Sequence, residues 1–101
     1  MFHFLKTWPL YFNATWNGDK TFEVRKFDRA FHIHNPVYLL EWDPHFERYT
    51  GRWIKSRITY LCILPDPMGT YVGMQLSIES KGTGTDILGL IGILGDDIGS
   101  P

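Results

Sequence analysis

Three side chains able to do chemistry lie close together near the start of the chain. They are Lys20, Glu23 and Arg25, in the run Gly18-Asp19-Lys20-Thr21-Phe22-Glu23-Val24-Arg25. Residues two apart on a strand share a face, so Glu23 and Arg25 project together. Lys20, at the junction between a helix and that strand, can approach the same patch. A cation, a carboxylate and a planar guanidinium converging there make a small anion or base-edge site, because Arg grips phosphate bidentately and Glu accepts from an exocyclic amine. In amide hydrolysis, a lysine whose pKa is lowered by burial acts as base or nucleophile, a role that the neighbouring carboxylate opposes. Alternatively Glu23 activates water while Lys20 and Arg25 hold the developing oxyanion. The competing reading is an exposed strand face carrying a surface ion pair worth little. Lys20 pointing into solvent, away from any cleft, would defeat both catalytic schemes.

Further candidates are scattered along the chain. Trp42, Trp53, Phe31 and Tyr49 offer stacking platforms for a base, although strand aromatics in so small a protein more often fill the core. Phe31 and Trp53 suit the core; Trp42, between Glu41 and Asp43, is open to either role. Arg29, Arg48, Arg52, Lys55 and Arg57 form either a basic rim around a cleft or a solvated strand face. Glu41 and Glu79 qualify as further catalytic carboxylates by residue type only. His32 and His34 are spaced as strand neighbours, yet no third ligand is conspicuous, so no metal site is expected. No Ser-His-Asp order, P-loop or dinucleotide fingerprint is present, and no cofactor is expected.

These residues need elements to position them. His3 to Leu5 reads as a short strand. Thr7 can cap a helix over about residues 9–16, with Pro9 in its first turn, Leu10, Tyr11, Ala14 and Thr15 at helical spacing, and Gly18 as its stop. Thr21 to Lys26 alternates, with Phe22 and Val24 on one side and Glu23 and Arg25 on the other. After a turn at Asp28-Arg29, Asn35-Pro36 leads into a strand over Val37 to Trp42. A strand from about Arg52 to Leu64 pairs back onto it. Pro65 to Gly69 is a turn, and Tyr71 to Ile78 forms the last strand, with Gly73 as a bulge candidate.

One domain is the most that 101 residues allow. The expected architecture is α+β, mostly β: a small barrel over residues 1–80 with one short N-terminal helix, followed by a Gly-rich tail over 81–101. That tail is either a flexible extension or, through the apolar run 86–94, a docking or self-association segment. The net charge of −1 excludes a broad basic field for duplex DNA or anionic lipid, so nucleic-acid affinity must come from a local pocket. The lone Cys62, in an apolar run, reads as a buried small hydrophobe in a reducing compartment. The amino terminus lacks the pattern of a signal peptide and the longest apolar run, Ile87 to Leu94, is too short to span a bilayer. A cytoplasmic protein without membrane contact is expected.

The pattern Gly-x-Lys-x-x-Glu-x-Arg, complete at Gly18, Lys20, Glu23 and Arg25, resembles the signature of ASCH domains in the PUA-like superfamily. Small phage and prophage members look closest, in Trp8-Pro9-x-Tyr11-Phe12, Lys20-Thr21-Phe22-Glu23-x-Arg25-Lys26, Asp28-Arg29, Glu41-Trp42-Asp43-Pro44 and Tyr49-Thr50-Gly51-Arg52. The resemblance covers roughly four-fifths of the chain. It implies a PUA-like barrel whose cleft, beside the early helix, takes an RNA segment or one modified base, with Lys20, Glu23 and Arg25 on the ligand and Arg29 and Trp42 as helpers. One bacterial ASCH branch is an amidohydrolase that deacetylates N4-acetylcytidine through the motif lysine, which is Lys20 here, with Glu23 as its partner if this chain is an enzyme. That branch has threonine where this chain has Glu23. His34-Asn35-Pro36 also stands where the family usually has a Gly-Asp turn. The leading expectation is an RNA or modified-nucleoside binding module. The alternatives are an amidohydrolase on an acylated nucleoside, and a phage-type protein-interaction module acting through residues 86–94.

Overall fold

The computed structural model describes residues 2–84 and 98–99. Within them the chain forms β1 (His3–Thr7), α1 (Pro9–Trp16), β2 (Phe22–Lys26), β3 (Pro36–Asp43), β4 (Arg48–Asp66), β5 (Gly69–Thr83) and β6 (Ile98–Gly99). All six strands join one sheet in the order β2-β5-β4-β3-β1-β6. β1 runs parallel to β3 and to β6, and the other neighbours are antiparallel. The fold is therefore α+β and mostly β, with the sheet curled into a half-barrel. No helix among the described residues is long and apolar enough to cross a membrane.

Alternation explains the core. Leu5, Val37, Leu39, Ile54, Ile58 and Met74 point into the concave side, where Phe12 of α1 and Phe31 of the β2–β3 loop close over them. The convex side holds a smaller cluster, Phe4 and Leu40 with half-buried Tyr38, Tyr49 and Trp53. Curvature comes from register slips, at Lys55/Ser56 and Ile58/Tyr60 between β4 and β5 and at Leu40/Trp42 between β3 and β4. Each extra residue bends its strand and increases the local twist. Gly73 is not among the slips. It lies in regular register between Val24 and Cys62, so the expected bulge is displaced to neighbours with side chains.

The helix keeps its expected span but not its expected cap or face. Thr7 is the last residue of β1 and its hydroxyl donates to the Leu5 carbonyl. Trp8 is the N-cap, without a side-chain cap bond, and Pro9 follows it. The buried positions are Phe12 and Thr15, while Leu10 and Tyr11 face outward. Gly18 has φ 85°. The Gly18 and Asp19 amides donate to the carbonyls of Thr15 and Ala14, the paired bonds that end a helix on a left-handed residue. This sharp stop delivers Lys20 to the start of β2.

Other details differ from expectation. Cys62 is exposed, because its register with Gly73 and, beyond it, Val24 puts it on the same outward face of the sheet as Val24. His32 and His34 lie in the β2–β3 loop, not on a strand, and His34 has φ 77°. No group of ligands suited to a metal occurs among the described residues. β5 continues through Thr83 and pairs with β4 as far as Arg52, so the sheet extends past the expected boundary at residue 80. The apolar run 86–94 lies outside the described residues.

The extension of β5 has a measurable consequence. A Cβ on Gly82 would stand 2.7 Å from the Trp53 ring, whereas one on Gly73 would meet only ordinary contacts from 3.7 Å outward. Gly82→Ala should cost about 1–3 kcal/mol by overpacking. Gly73→Ala should change stability by less than about 1 kcal/mol, since alanine also lowers the entropy cost of ordering the strand. Urea unfolding of both variants checks the contrast, and equal midpoints would show that Gly82 is not packed under Trp53.

Candidate functional site

Among the described residues the sheet leaves one seam unclosed. β2 is a sheet edge, and β1, which follows it around the curl, pairs with β3 and β6 instead. A side chain bridges the gap: Arg25 Nη2 on β2 donates to the Lys6 carbonyl at 2.9 Å and to Thr7 Oγ1 at 3.3 Å. At this seam lies a cleft of about 430 Å³, lined by Thr7, Trp8, Tyr11, Lys20, Phe22, Glu23, Val24 and Arg25. Its size is within the usual range for small-ligand sites, about 300–1,000 Å³.

The floor is charged. Glu23 accepts from Lys20 Nζ on one oxygen at 2.7 Å and from Arg25 Nε on the other at 3.1 Å. Glu23 is 4% exposed and Arg25 9%, while their neighbours Phe22 and Val24 are 58% and 51% exposed. The usual pattern of apolar-in and polar-out is inverted along β2. A buried carboxylate is tolerated only when paired and hydrogen-bonded, and here both of its oxygens are engaged. Lys20 retains donor capacity, since an ammonium carries three hydrogens. It lines the cleft with its side chain 17% exposed, and so meets the geometric condition that both catalytic schemes required. The walls are aromatic and apolar: Trp8 and Tyr11 lie at the start of α1, with Phe22 on β2.

The structure brings Lys20, Glu23 and Arg25 together but not their expected helpers. Arg29 lies beside Asp28, with its guanidinium 5.9 Å from the Phe31 ring, and does not line the cleft. Trp42 meets Tyr49 edge-on at 4.8 Å on the convex side, under Lys6 Nζ at 4.1 Å. Of the other aromatics, Phe31 is in the core and Trp53 packs on the convex cluster. Nor do Arg48, Arg52, Lys55 and Arg57 form a rim. Lys55 and Arg57 pair with Glu79, and Arg48 lies over Phe46. Five residues of the cleft were not among the expected site residues: Thr7, Trp8, Tyr11, Phe22 and Val24. Trp8 and Tyr11 are spaced three apart, which puts two aromatics on one helix face. Phe22 and Val24 carry no such signal, because apolar strand residues ordinarily read as core.

A second buried carboxylate holds the helix in place. Glu41 accepts from Arg52 through both oxygens, at 2.9 and 2.6 Å, and from the Thr50 hydroxyl at 2.6 Å. Arg52 also donates to Asn13 Oδ1 on α1, and its guanidinium sits 5.0 Å from the rings of both Phe12 and Trp16. Glu41 is thus committed to positioning α1 and does not line the cleft.

The family described as Domain of unknown function (DUF3850) matches residues 2–72, which include every residue of the cleft. No curated protein matches the chain.

The Glu41 clamp sets an expected pH dependence. Burial pushes the Glu41 carboxyl up, but the hydrogen bonds from Arg52 and Thr50 and the Arg52 charge outweigh it and hold the pKa below the ordinary value. A carboxylate with a depressed folded pKa adds stability above its unfolded pKa, and that stability is lost as pH falls through the folded value. The wild type should therefore lose stability below about pH 4. Glu41→Gln should cost about 1–3 kcal/mol at neutral pH and flatten that acid limb. Urea midpoints against pH test this; an acid limb identical in both proteins would remove the clamp from the account.

Proposed function

The chain belongs to the DUF3850 family, whose description assigns no activity, and on that premise we propose that it is a binding module for RNA or a modified nucleoside. The observation that carries the reading is the convergence of Lys20, Glu23 and Arg25 on the floor of a cleft walled by Trp8, Tyr11 and Phe22. A few fixed polar groups among apolar walls suit a planar ligand that stacks and is read at its edge. The net charge of −1 agrees with a pocket rather than a charged surface as the source of affinity. The resemblance of the Gly18-x-Lys20-x-x-Glu23-x-Arg25 pattern to ASCH domains supports the same ligand class.

Hydrolysis of an acylated nucleoside is the second reading, favoured by the 2.7 Å contact between Lys20 and Glu23 inside the cleft. An ammonium that donates to a carboxylate has no lone pair for attack. In that reading Lys20 holds the oxyanion and Glu23 serves the water.

Ligand-detected NMR against short RNA oligomers and nucleosides, including N4-acetylcytidine, tests both. Lys20→Ala should weaken binding by at least about tenfold through loss of a charge-assisted donor. Its thermal unfolding should fall only modestly, because the buried Glu23 loses one partner but keeps Arg25. Release of acetate by wild type and not by Lys20→Ala would establish the enzyme. Wild type and variant binding a ligand equally would place function away from the cleft.

A further inference from the structure

The cleft is touched by both faces of β2: Glu23 and Arg25 from one side, Phe22 and Val24 from the other. A cavity reached from both faces of a strand lies over that strand's edge. The pairing register identifies which main-chain groups stand there. Leu76 N–H donates to the Thr21 carbonyl and Phe27 N–H to the Thr70 carbonyl, at the two ends of the β2–β5 ladder. Opposite residues of an antiparallel pair alternate between bonded and non-bonded. Thr21, Glu23, Arg25 and Phe27 therefore turn their amides toward β5, and Phe22, Val24 and Lys26 turn theirs outward. Among the described residues no strand pairs with β2 on that side.

We propose that the open edge of β2 is the base-reading element of the cleft, with the Val24 N–H and C=O exchanging two hydrogen bonds with a nucleobase that presents an unsubstituted lactam or imide edge. The inference rests on the nucleoside-binding reading above and names the chemistry that the site selects. The N–H and C=O of one extended residue point the same way, as a donor beside an acceptor. A ring N–H next to a ring carbonyl, as in uracil, is the complement. The base then takes the place of one residue of an added strand, with Trp8, Tyr11 and Phe22 available to its faces. An imide has a second carbonyl, which is left for a cation of the floor.

A peptide strand is the other occupant that an open edge invites, but this edge is too short for one. Lys26, the next outward-facing residue, does not line the cleft, and the Arg25 guanidinium crosses the seam to Lys6 at that end. At the other end the helix stop at Gly18 and the Lys20–Glu23 pair close the approach. Phe22 and Val24 are the outward-facing residues that remain, enough for a ring and too few for a ladder.

The test is a titration of the full chain with uridine and with N3-methyluridine, which lacks the ring N–H and is otherwise closely similar. Uridine should bind at least about tenfold more tightly, the equivalent of one good hydrogen bond. In nitrogen–proton spectra the Val24 amide should move downfield with uridine and not with the methylated probe. Val24→Pro removes the donor while sparing the sheet, because proline is accepted at strand edges where its nitrogen faces away from the ladder. It should abolish the preference for uridine. Equal binding of the two nucleosides, lost in Lys20→Ala, would overturn the edge assignment and leave the cleft as a binding site. Binding of neither would overturn the edge assignment, and the nucleoside-binding reading with it if RNA oligomers and N4-acetylcytidine also fail to bind. If Val24→Pro does not fold, the amide shift in the wild type decides alone.

Discussion

The site exists because the sheet, over the described residues, does not close. A barrel avoids exposed edges by pairing its first and last strands, but here α1 is inserted between β1 and β2 and each strand finds a different neighbour. Main-chain groups at the gap would otherwise have only water. Arg25 answers part of that demand by reaching the Lys6 carbonyl and Thr7 hydroxyl from the far side. A guanidinium nine-tenths buried needs a counter-charge, and Glu23 supplies it two residues earlier on the same face. The Glu23 carboxylate has a second oxygen, and Lys20 takes it. The three residues form one connected pair of ion pairs whose first task is to bridge a seam, and whose position makes them the floor of the cleft.

The same device recurs on the other side of the helix. Glu41 and Arg52, on β3 and β4, hold α1 through Asn13 and through the rings of Phe12 and Trp16. With the helix fixed at its middle by this clamp and at its end by the Gly18 stop, Trp8 and Tyr11 keep their places over the seam without being buried themselves. Exposed aromatics are tolerable on so short a helix only because Phe12, Thr15 and the Arg52 contacts anchor it. The half-barrel therefore uses two buried carboxylates for two jobs, one to dock the helix and one to span the gap.

Much of this was legible in the residues. Proline and glycine punctuation set the bounds of α1, and alternating β-branched and aromatic runs set β2, β3 and the β3–β4 hairpin. Spacing put Glu23 and Arg25 on one face with Lys20 nearby, but left open whether that face was a site or a solvated surface. The resemblance of the pattern favoured the site. Burial was harder to read. Phe22 and Val24 belong outside and Glu23 and Arg25 inside because an edge strand beside an open seam has its polar work on the inner face, and no local pattern reveals that a seam is there. Cys62 reads as core because its neighbours are apolar, yet its register with Gly73 and Val24 sets it on the outward face of the sheet. The Glu41–Arg52 clamp joins residues that read separately as a catalytic candidate and a rim cation, since only the folded β3–β4 hairpin, with its irregularity at Leu40/Trp42, brings them together. Gly82 looked like the start of a tail; its hydrogen atom is what lets the Trp53 ring lie against β5.

The charge on the floor also bears on what such a cleft is suited to hold. Two cations share one carboxylate, and the Arg25 guanidinium is directed at protein acceptors. A site that gripped a polyanionic backbone would need several free cations, and Arg52, Lys55 and Arg57 of β4 are paired with Glu41 and Glu79. Binding energy at this seam must come mainly from aromatic surface taken out of water and from hydrogen bonds made in a partly dry cleft, where they are worth more than at an open surface. Those terms reward one planar, largely neutral ring more than they reward a strand of phosphates. The unclosed edge of β2 then acts as a recognition element because a sheet edge already carries the alternating donors and acceptors that a base edge can match.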